Sequence, residues 1–437
     1  MAVLVRGHAC DDRTVSHLPR RTAVPGPEPG GFQGLRPELL VIGAGCTGAL
    51  VAAHLRLGLA RNPRTRAARL SVWEAARGPA GRMSTFWADV QGQQVVADLG
   101  AQVVSVPAGE ADSMPEWVAG VLQPASDLAP TSERGPSPEW QHFHVPGGTT
   151  AVLRASLEVA RADELLFQQK VGSMRPHDGR WRVSAAPTRR RARGGRGGSA
   201  DNRRQEGDFD AVVFAGTARD AVRIKGMEHG LLREDFSALR RVSYDHRMCL
   251  ALLLRPDFRT ILDRFFDGAA EVLLSGPGSR NLSEVIELAC LQDVKRPSAK
   301  ASAVVLHSTV SFAAANLKEA QRLRQPAQKR ARAPLLDAFA ELLGCPTGDL
   351  EAAAVGCKVV NWRQCQAQRL FQAGKKSGAS VPEAKLPICC SAESLPPLVV
   401  AGDYFASSSF HGCLASARAA AEEVVARLGA EEEVQVD

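Results

Sequence analysis

Apolar residues in this chain cluster in short runs separated by polar, glycine-rich turns, and the first such run sets the frame. Leu39-Leu-Val-Ile42 is uninterruptedly apolar and bounded by a charged residue and a glycine, the pattern of a parallel strand buried on both faces. Gly43-Ala-Gly45-Cys-Thr-Gly48 follows at once, and Ala49–Arg56 then reads as helix. A second strand is expected at Arg69–Trp73, ending on Glu74, which completes a βαβ unit. Further strands are expected at Gln94–Ala97, Ala101–Ser105, Arg180–Ser184, Phe209–Phe214, Met248–Leu254, Ala303–His307 and Leu398–Ala401. Helices are expected at Gly148–Ala160, Asn316–Arg324, Pro334–Leu343 and Cys413–Leu428. No fixed-period repeat is present, and no apolar stretch approaches the ~18 residues needed to cross a bilayer.

The glycine run sits where a dinucleotide fingerprint needs it, between strand and helix. Gly43 permits the tight turn, Gly45 lets a pyrophosphate approach the backbone, and Gly48 lets the helix pack against the strand. Ala44, Cys46 and Thr47 complete the turn, whose N–H groups at the helix start face negative phosphates. Glu74 at the end of the second strand would accept a ribose hydroxyl and disfavour a phosphate there. It comes later after the glycines than the usual ~20 residues, an excess assigned to the basic turn Ala60–Ala68.

Two further segments extend the ligand. Gly81-Arg82-Met83 places an arginine behind a glycine turn, suited to bidentate pyrophosphate binding, and Asp98–Gln102 follows it. Near the C-terminus, Leu398–Ala401 ends in Gly402-Asp403, and Gly412-Cys413-Leu414 opens the final helix. An acid at a strand end can hold a ribityl hydroxyl, and a helix start stabilises charge at the flavin N1/O2 edge. Three segments converging on one extended ligand point to FAD.

These motifs, with Phe143–Thr150, Val242-Ser-Tyr244, Val305–Val310, Asn361-Trp-Arg363 and Gly402–Ala417 in the same order, resemble the renalase family within the wider flavin amine oxidase group. The chain departs from the family pattern at Ala80, where a glycine is usual, and at Asp293, where a neutral polar residue is expected. The resemblance implies an α/β (α+β), p-hydroxybenzoate-hydroxylase-like fold: a Rossmann-type FAD-binding domain with a mixed-sheet substrate domain. It divides the chain into an N-terminal extension (1–37), FAD-binding parts at 38–106, 146–225 and 398–430, substrate parts at 107–145 and 226–397, and an acidic tail (431–437). It also implies oxidation of 2- and 6-dihydro isomers of NAD(P)H to β-NAD(P)⁺, with hydride passed to flavin N5 and O2 reduced to H2O2. The partners expected are therefore a small-molecule dinucleotide and O2. A flavin amine oxidase acting on a small amine, or a non-catalytic FAD-fold binding protein, are the alternatives.

Substrate-pocket candidates are His307, Tyr244 and Trp362, each also compatible with ordinary packing. Gln102 and Val171 are further cofactor candidates. Lys295 and Arg296 before Pro297 could meet substrate phosphates, although such a pair also suits a solvated turn. Cys413 at a helix start would be acidified if exposed.

Charge and cysteines refine the picture. The 437 residues carry a net charge of +7. Residues 187–207 hold seven arginines against two acids, and residues 1–36 hold five against three, so these two segments account for the whole excess. The Gly/Arg-rich 187–207 insert and the Gly374–Ala384 stretch are expected to be flexible loops. The insert contains no aromatic residue, so nucleic acid is not an expected partner. Ten scattered cysteines without a C-x-x-C pair signal neither a zinc site nor a disulfide scaffold. No metal or membrane partner is expected. The expected location is cytoplasmic, with the arginines of the N-terminal extension leaving organelle targeting open.

Overall fold

The computed structural model describes residues 36–79, 81–125, 139–186, 205–276, 281–298, 300–372 and 387–430. Expectations for residues 1–35, Ala80, 187–204, 374–384 and the 431–437 tail lie outside the described residues.

A six-stranded sheet organises one half of the molecule. Its order is Ile388–Cys390, Leu398–Ala401, Ala211–Phe214, Glu38–Ile42, Arg69–Glu74 and Glu164–Phe167. All neighbours are parallel except the first pair. The uninterrupted apolar runs are explained by burial on both faces. Leu39 and Val41 pack under the helices Cys46–Arg61, Thr150–Ala160 and Phe410–Ala430. Leu40 and Ile42 pack on the opposite face, beneath the three-stranded meander Val171–His177, Arg180–Ala185 and Glu206–Phe209.

The other half is a five-stranded sheet in the order Glu271–Leu273, Ile286–Leu291, Ser302–Ser308, Arg247–Leu254 and Ala354–Trp362. Every neighbouring pair is antiparallel, so the expected mixed sheet is instead a uniform one. Alternation divides its faces. Met248, Leu250, Leu252 and Leu254 bury against Arg259–Phe266, Val310–Arg322 and Ala327–Leu343. Cys249, Ala251 and Leu253 meet the hairpin Thr85–Val90/Gln93–Asp98 on the other face, with Val95 and Ala97.

Several expected boundaries move, each for a local reason. The strand expected at 209–214 is two strands broken at Asp210, whose carboxylate accepts the Glu38 N–H (2.7 Å) and pairs with Arg180. The strand expected at 101–105 is Val104–Pro107, because Ala101 N–H turns back to Arg82 O (2.9 Å). The helix expected from Asn316 starts at Val310, where Thr309 Oγ1 accepts the Phe312 N–H. The helix expected from Pro334 starts at Ala327, with Pro326 ahead of it and Pro334 inside. The final helix starts at Phe410 rather than Cys413, and the 148–160 helix starts at Thr150. Residues 107–145, expected with the substrate half, send Met114, Val118 and Val145 into the core beneath the six-stranded sheet.

Candidate FAD and substrate site

The strand Glu38–Ile42 hands directly to Gly43, whose φ of 110° lies in the region that glycine alone adopts without strain. Its N–H donates to Trp73 O (2.8 Å), tying the turn to the second strand. At Gly48 a Cβ would lie 1.9 Å from Gly43 O, so the helix can approach the turn this closely only without a side chain. At Gly45 a Cβ would meet nothing within 4 Å, which leaves open space on the outer side of the turn. Ala44 and Thr47 are buried beneath it. Glu74 accepts the Ala44 N–H with Oε2 (2.7 Å) and the Ala76 N–H with Oε1 (2.6 Å), so it first orders the glycine turn. Val171 is brought near the same strand end, since Gln169 N–H donates to Glu74 O (2.8 Å). The spacing excess before Glu74 is a long helix that runs through Arg61, followed by a turn that Thr65 anchors on Leu59 O.

Arg82 and Asp403 meet across 321 residues of sequence. Arg82 Nη1 and Nη2 donate to Asp403 Oδ2 (2.6 Å) and Oδ1 (2.7 Å), and Nη1 also reaches Cys365 O (3.1 Å). Burial opposes the charge on Arg82, but Asp403 outweighs it and holds the guanidinium firmly protonated. This revises the expected role. The fork grips a carboxylate. Ser408 Oγ donates to the same carboxylate (2.8 Å). Gly81 sits against Gly45, and Met83 O accepts Thr150 Oγ1 (2.8 Å). Cys413 and Leu414 are buried in the first turn of the final helix, just after Gly412, so Cys413 is a packed thiol rather than an exposed one. Its free thiol sits in hydrogen-bonding contact with that of Cys46, whose pKa this contact and burial push well up. The described cysteines are all free, and no described group of three His, Cys, Asp or Glu could hold a metal ion.

Two of the substrate candidates, His307 and Trp362, fall on the sheet face that looks at the hairpin. His307 lies opposite Cys249 in the register, and Trp362 lies opposite Arg247 on the next strand. Trp362 Nε1 donates to Leu99 O (3.3 Å), which joins the sheet to the segment after the hairpin. His307 is buried, and its Nε2 has no hydrogen-bond partner among the described residues. Burial lowers its pKa to about 4, aided by Arg247 and Lys295. Arg247 itself is paired with Asp245 (3.0 Å) and Glu287 (2.6 Å). Tyr244 is set apart from His307. Its Oη accepts the Ala218 N–H (2.9 Å) and its ring meets the edge of Tyr404, on the Arg82–Asp403 side.

Sequence reasoning missed a buried ionic knot between the halves. Asp98, fully buried, accepts the Thr149 N–H (2.8 Å) and Thr85 Oγ1 (3.1 Å). Arg296 donates to its other oxygen, and Lys295 Nζ lies 3.9 Å away. Lys295 and Arg296 are therefore interior groups, not a solvated turn. Burial pulls the Lys295 pKa down while Asp98 opposes that. Gln102 is part of the same knot. Its Nε2 donates to Asp98 O (2.7 Å) and its Oε1 accepts Gln292 Nε2 (2.8 Å) and Lys295 Nζ (3.0 Å), so its side chain is fully engaged by protein groups. Asp293 is also explained without a substrate. It accepts the Ala303 N–H (2.8 Å) and pairs with Arg259 (2.9 Å). The available signal was Asp98 itself, a charge closing an apolar strand.

His307 yields a pH prediction. Its unfolded pKa of ~6.5 exceeds the folded value of about 4, so the unfolded state binds more protons between those values. Stability is thus lost as pH falls through that window. Urea unfolding at pH 7 and pH 5 should show this loss smaller by about 2 kcal/mol in His307→Gln. An unchanged loss would mean that His307 titrates normally.

The Rossmann-type half with its open glycine cradle, facing a second sheet across a buried seam, defines an FAD-dependent oxidoreductase. Residues 41–117 match the NAD(P)-binding Rossmann-like domain, and residues 110–425 match the flavin containing amine oxidoreductase model. The chain therefore belongs to the flavin containing amine oxidoreductase family. Among solved structures it is similar to a redesigned triple mutant of a putrescine oxidase, with 15% identity and a TM-score of 0.54 over 90% of this chain and 99% of that one. It is similar also to the wild-type putrescine oxidase bound to putrescine, at 14% identity and the same TM-score and coverage. At that identity the likeness is one of fold.

Proposed function

We propose that the protein is a renalase-like FAD oxidase that converts 2- or 6-dihydro isomers of NAD(P)H to β-NAD(P)⁺. The observation that carries the reading is the character of the wall around His307. Burial keeps this histidine neutral at physiological pH with Arg247 and Lys295 nearby, and its Nε2 has no partner among the described residues. Its face of the sheet is otherwise apolar, with Ala303, Val305 and, two strands away, Trp362. The carboxylates around those cations are already committed, Asp245 and Glu287 to Arg247 and Asp98 to Arg296 and Lys295. Such a wall suits an uncharged dihydropyridine with a carboxamide to hydrogen-bond, and it offers little to an ammonium group.

Bound FAD would take a hydride at N5 and return the electrons to O2. The chain's own residues have the tasks of holding and orienting. Gly43–Gly48, Glu74 and Val171 would hold the adenosine and pyrophosphate end, and Arg82, Asp403 and the turn Gly412–Leu414 the flavin end. Trp362 and His307 would position the dihydropyridine, and the closed knot around Asp98 would keep water out. Hydride loss from a dihydropyridine releases no proton, so no general base is required of these residues. Within this reading the FAD-binding parts are 38–106, 146–225 and 398–430.

Oxidation of a small amine is the second reading, favoured by the family match and by a fold neighbour that binds putrescine. Aerobic incubation with 6-dihydroNAD should yield β-NAD⁺ and H2O2 in equal amounts. Turnover of putrescine or benzylamine with none of 6-dihydroNAD would select the second reading instead.

A further inference from the structure

The net charge of the described body hides a concentrated basic surface. Residues 318–332 carry six cations (Lys318, Arg322, Arg324, Lys329, Arg330 and Arg332) against one acid, Glu319. They lie on the hairpin of helices Val310–Arg322 and Ala327–Leu343, and all six are exposed. Arg322 pairs with Glu319 and Arg332 with Glu351. Lys318, Arg324, Lys329 and Arg330 form no ion pair within 4 Å among the described residues, although Arg330 lies within electrostatic reach of Glu319, which Arg322 already holds. At the tip, Leu323 is 39% exposed between Arg322 and Arg324, and Arg324 holds a left-handed φ of 53° that turns the chain.

Four unpaired cations around an exposed leucine on a rigid helical hairpin fit a surface of negative headgroups over hydrocarbon. No exposed aromatic side chain lies on the hairpin between 310 and 333 to stack on nucleobases, since Phe312 is turned into the core. We propose that this hairpin is a docking surface for anionic lipid membranes, which the protein meets peripherally. No helix among the described residues is long and apolar enough to cross a bilayer, so docking is by charge and one shallow apolar contact. The surface lies on the side of the antiparallel sheet opposite to His307, because the hairpin covers the Met248–Leu254 face. Docking therefore engages the face of the sheet away from the candidate site.

The test is co-sedimentation of the full flavin-loaded chain with phosphatidylcholine vesicles, with and without phosphatidylserine. The comparison variant carries Arg324→Glu, Lys329→Glu and Arg330→Glu, with flavin content and thermal melting as controls for folding. The wild type should pellet only with phosphatidylserine and be released by salt, and the variant should bind at least about tenfold more weakly. Leu323→Ser, which keeps every charge, should weaken binding by a smaller factor and supports the same geometry. Equal binding by the charge-reversed variant would assign the interaction to the basic segments 1–36 and 187–207 and overturn the proposal. Equal pelleting with neutral vesicles, no pelleting at all, or binding to a single-stranded oligonucleotide in preference to vesicles would also overturn it.

Discussion

Replacing Asp98 by Ala is expected to destabilise the protein by about 3–5 kcal/mol. The side chain is fully buried and serves four groups at once: the Thr149 N–H, Thr85 Oγ1, Thr149 Oγ1 and Arg296. Removing it takes the paired carboxylate from buried Arg296 and leaves buried Lys295 with only the weaker pull of Glu271. Domains are stable by only about 5–15 kcal/mol, so the loss is a large fraction of the total. The knot joins the hairpin to the 292–296 turn of the other half, so flavin retention should fall with stability. Asp98→Asn keeps the volume and can still accept from Thr149, and it should lie between the two. Urea unfolding of all three proteins checks this; a loss below about 1 kcal/mol in Asp98→Ala would mean that the cations find water or other partners.

The glycine cradle gives the second large effect, as a contrast between two neighbours. In Gly48→Ala the new Cβ would overlap Gly43 O at 1.9 Å, so the helix must move away from the strand. Overpacking of this kind costs about 1–3 kcal/mol and distorts the turn, so both melting temperature and bound flavin should drop. In Gly45→Ala the new methyl meets no protein atom within 4 Å, and the residue has an extended φ of −75° that alanine adopts freely. The fold should keep its melting temperature while the methyl intrudes on the pyrophosphate, lowering flavin affinity by about tenfold or more. Flavin absorbance per protein after gel filtration, read beside thermal melting, separates the two. Full flavin retention by Gly45→Ala would place the pyrophosphate elsewhere.

What was legible in the sequence follows from the range of each signal. The βαβ unit was readable because strand, glycines, helix and acid are contiguous and each leaves a local pattern. The strands around 248–254 and 303–307 were readable because burial on both faces demands an unbroken apolar run. The strand Ala354–Trp362 escaped notice because polar Lys358 and Asn361, on opposite faces, interrupt its apolar pattern so that it resembles a loop. The ionic knot was illegible for a different reason. Lys295-Arg296-Pro297 has the local look of a surface turn, and its partner Asp98 is nearly 200 residues away, a separation that no local pattern reports. Arg82 and Asp403 were each recognised, but their direct pairing depends on two strand ends meeting in space. The charge arithmetic was correct as a sum and silent about position, which is why the basic hairpin emerged only once the two helices were seen side by side.

The central claim is that a flavin in this cradle draws a hydride from an isomeric dihydronicotinamide placed against His307 and Trp362. The most direct measurement mixes the purified flavoprotein anaerobically with 6-dihydroNAD, ordinary β-NADH, benzylamine or putrescine and follows loss of the flavin's long-wavelength absorbance. Rapid bleaching by 6-dihydroNAD, with slow or no bleaching by the other three, is the predicted result. Rapid bleaching by an amine alone would contradict the dihydronicotinamide assignment while leaving the FAD oxidoreductase fold intact.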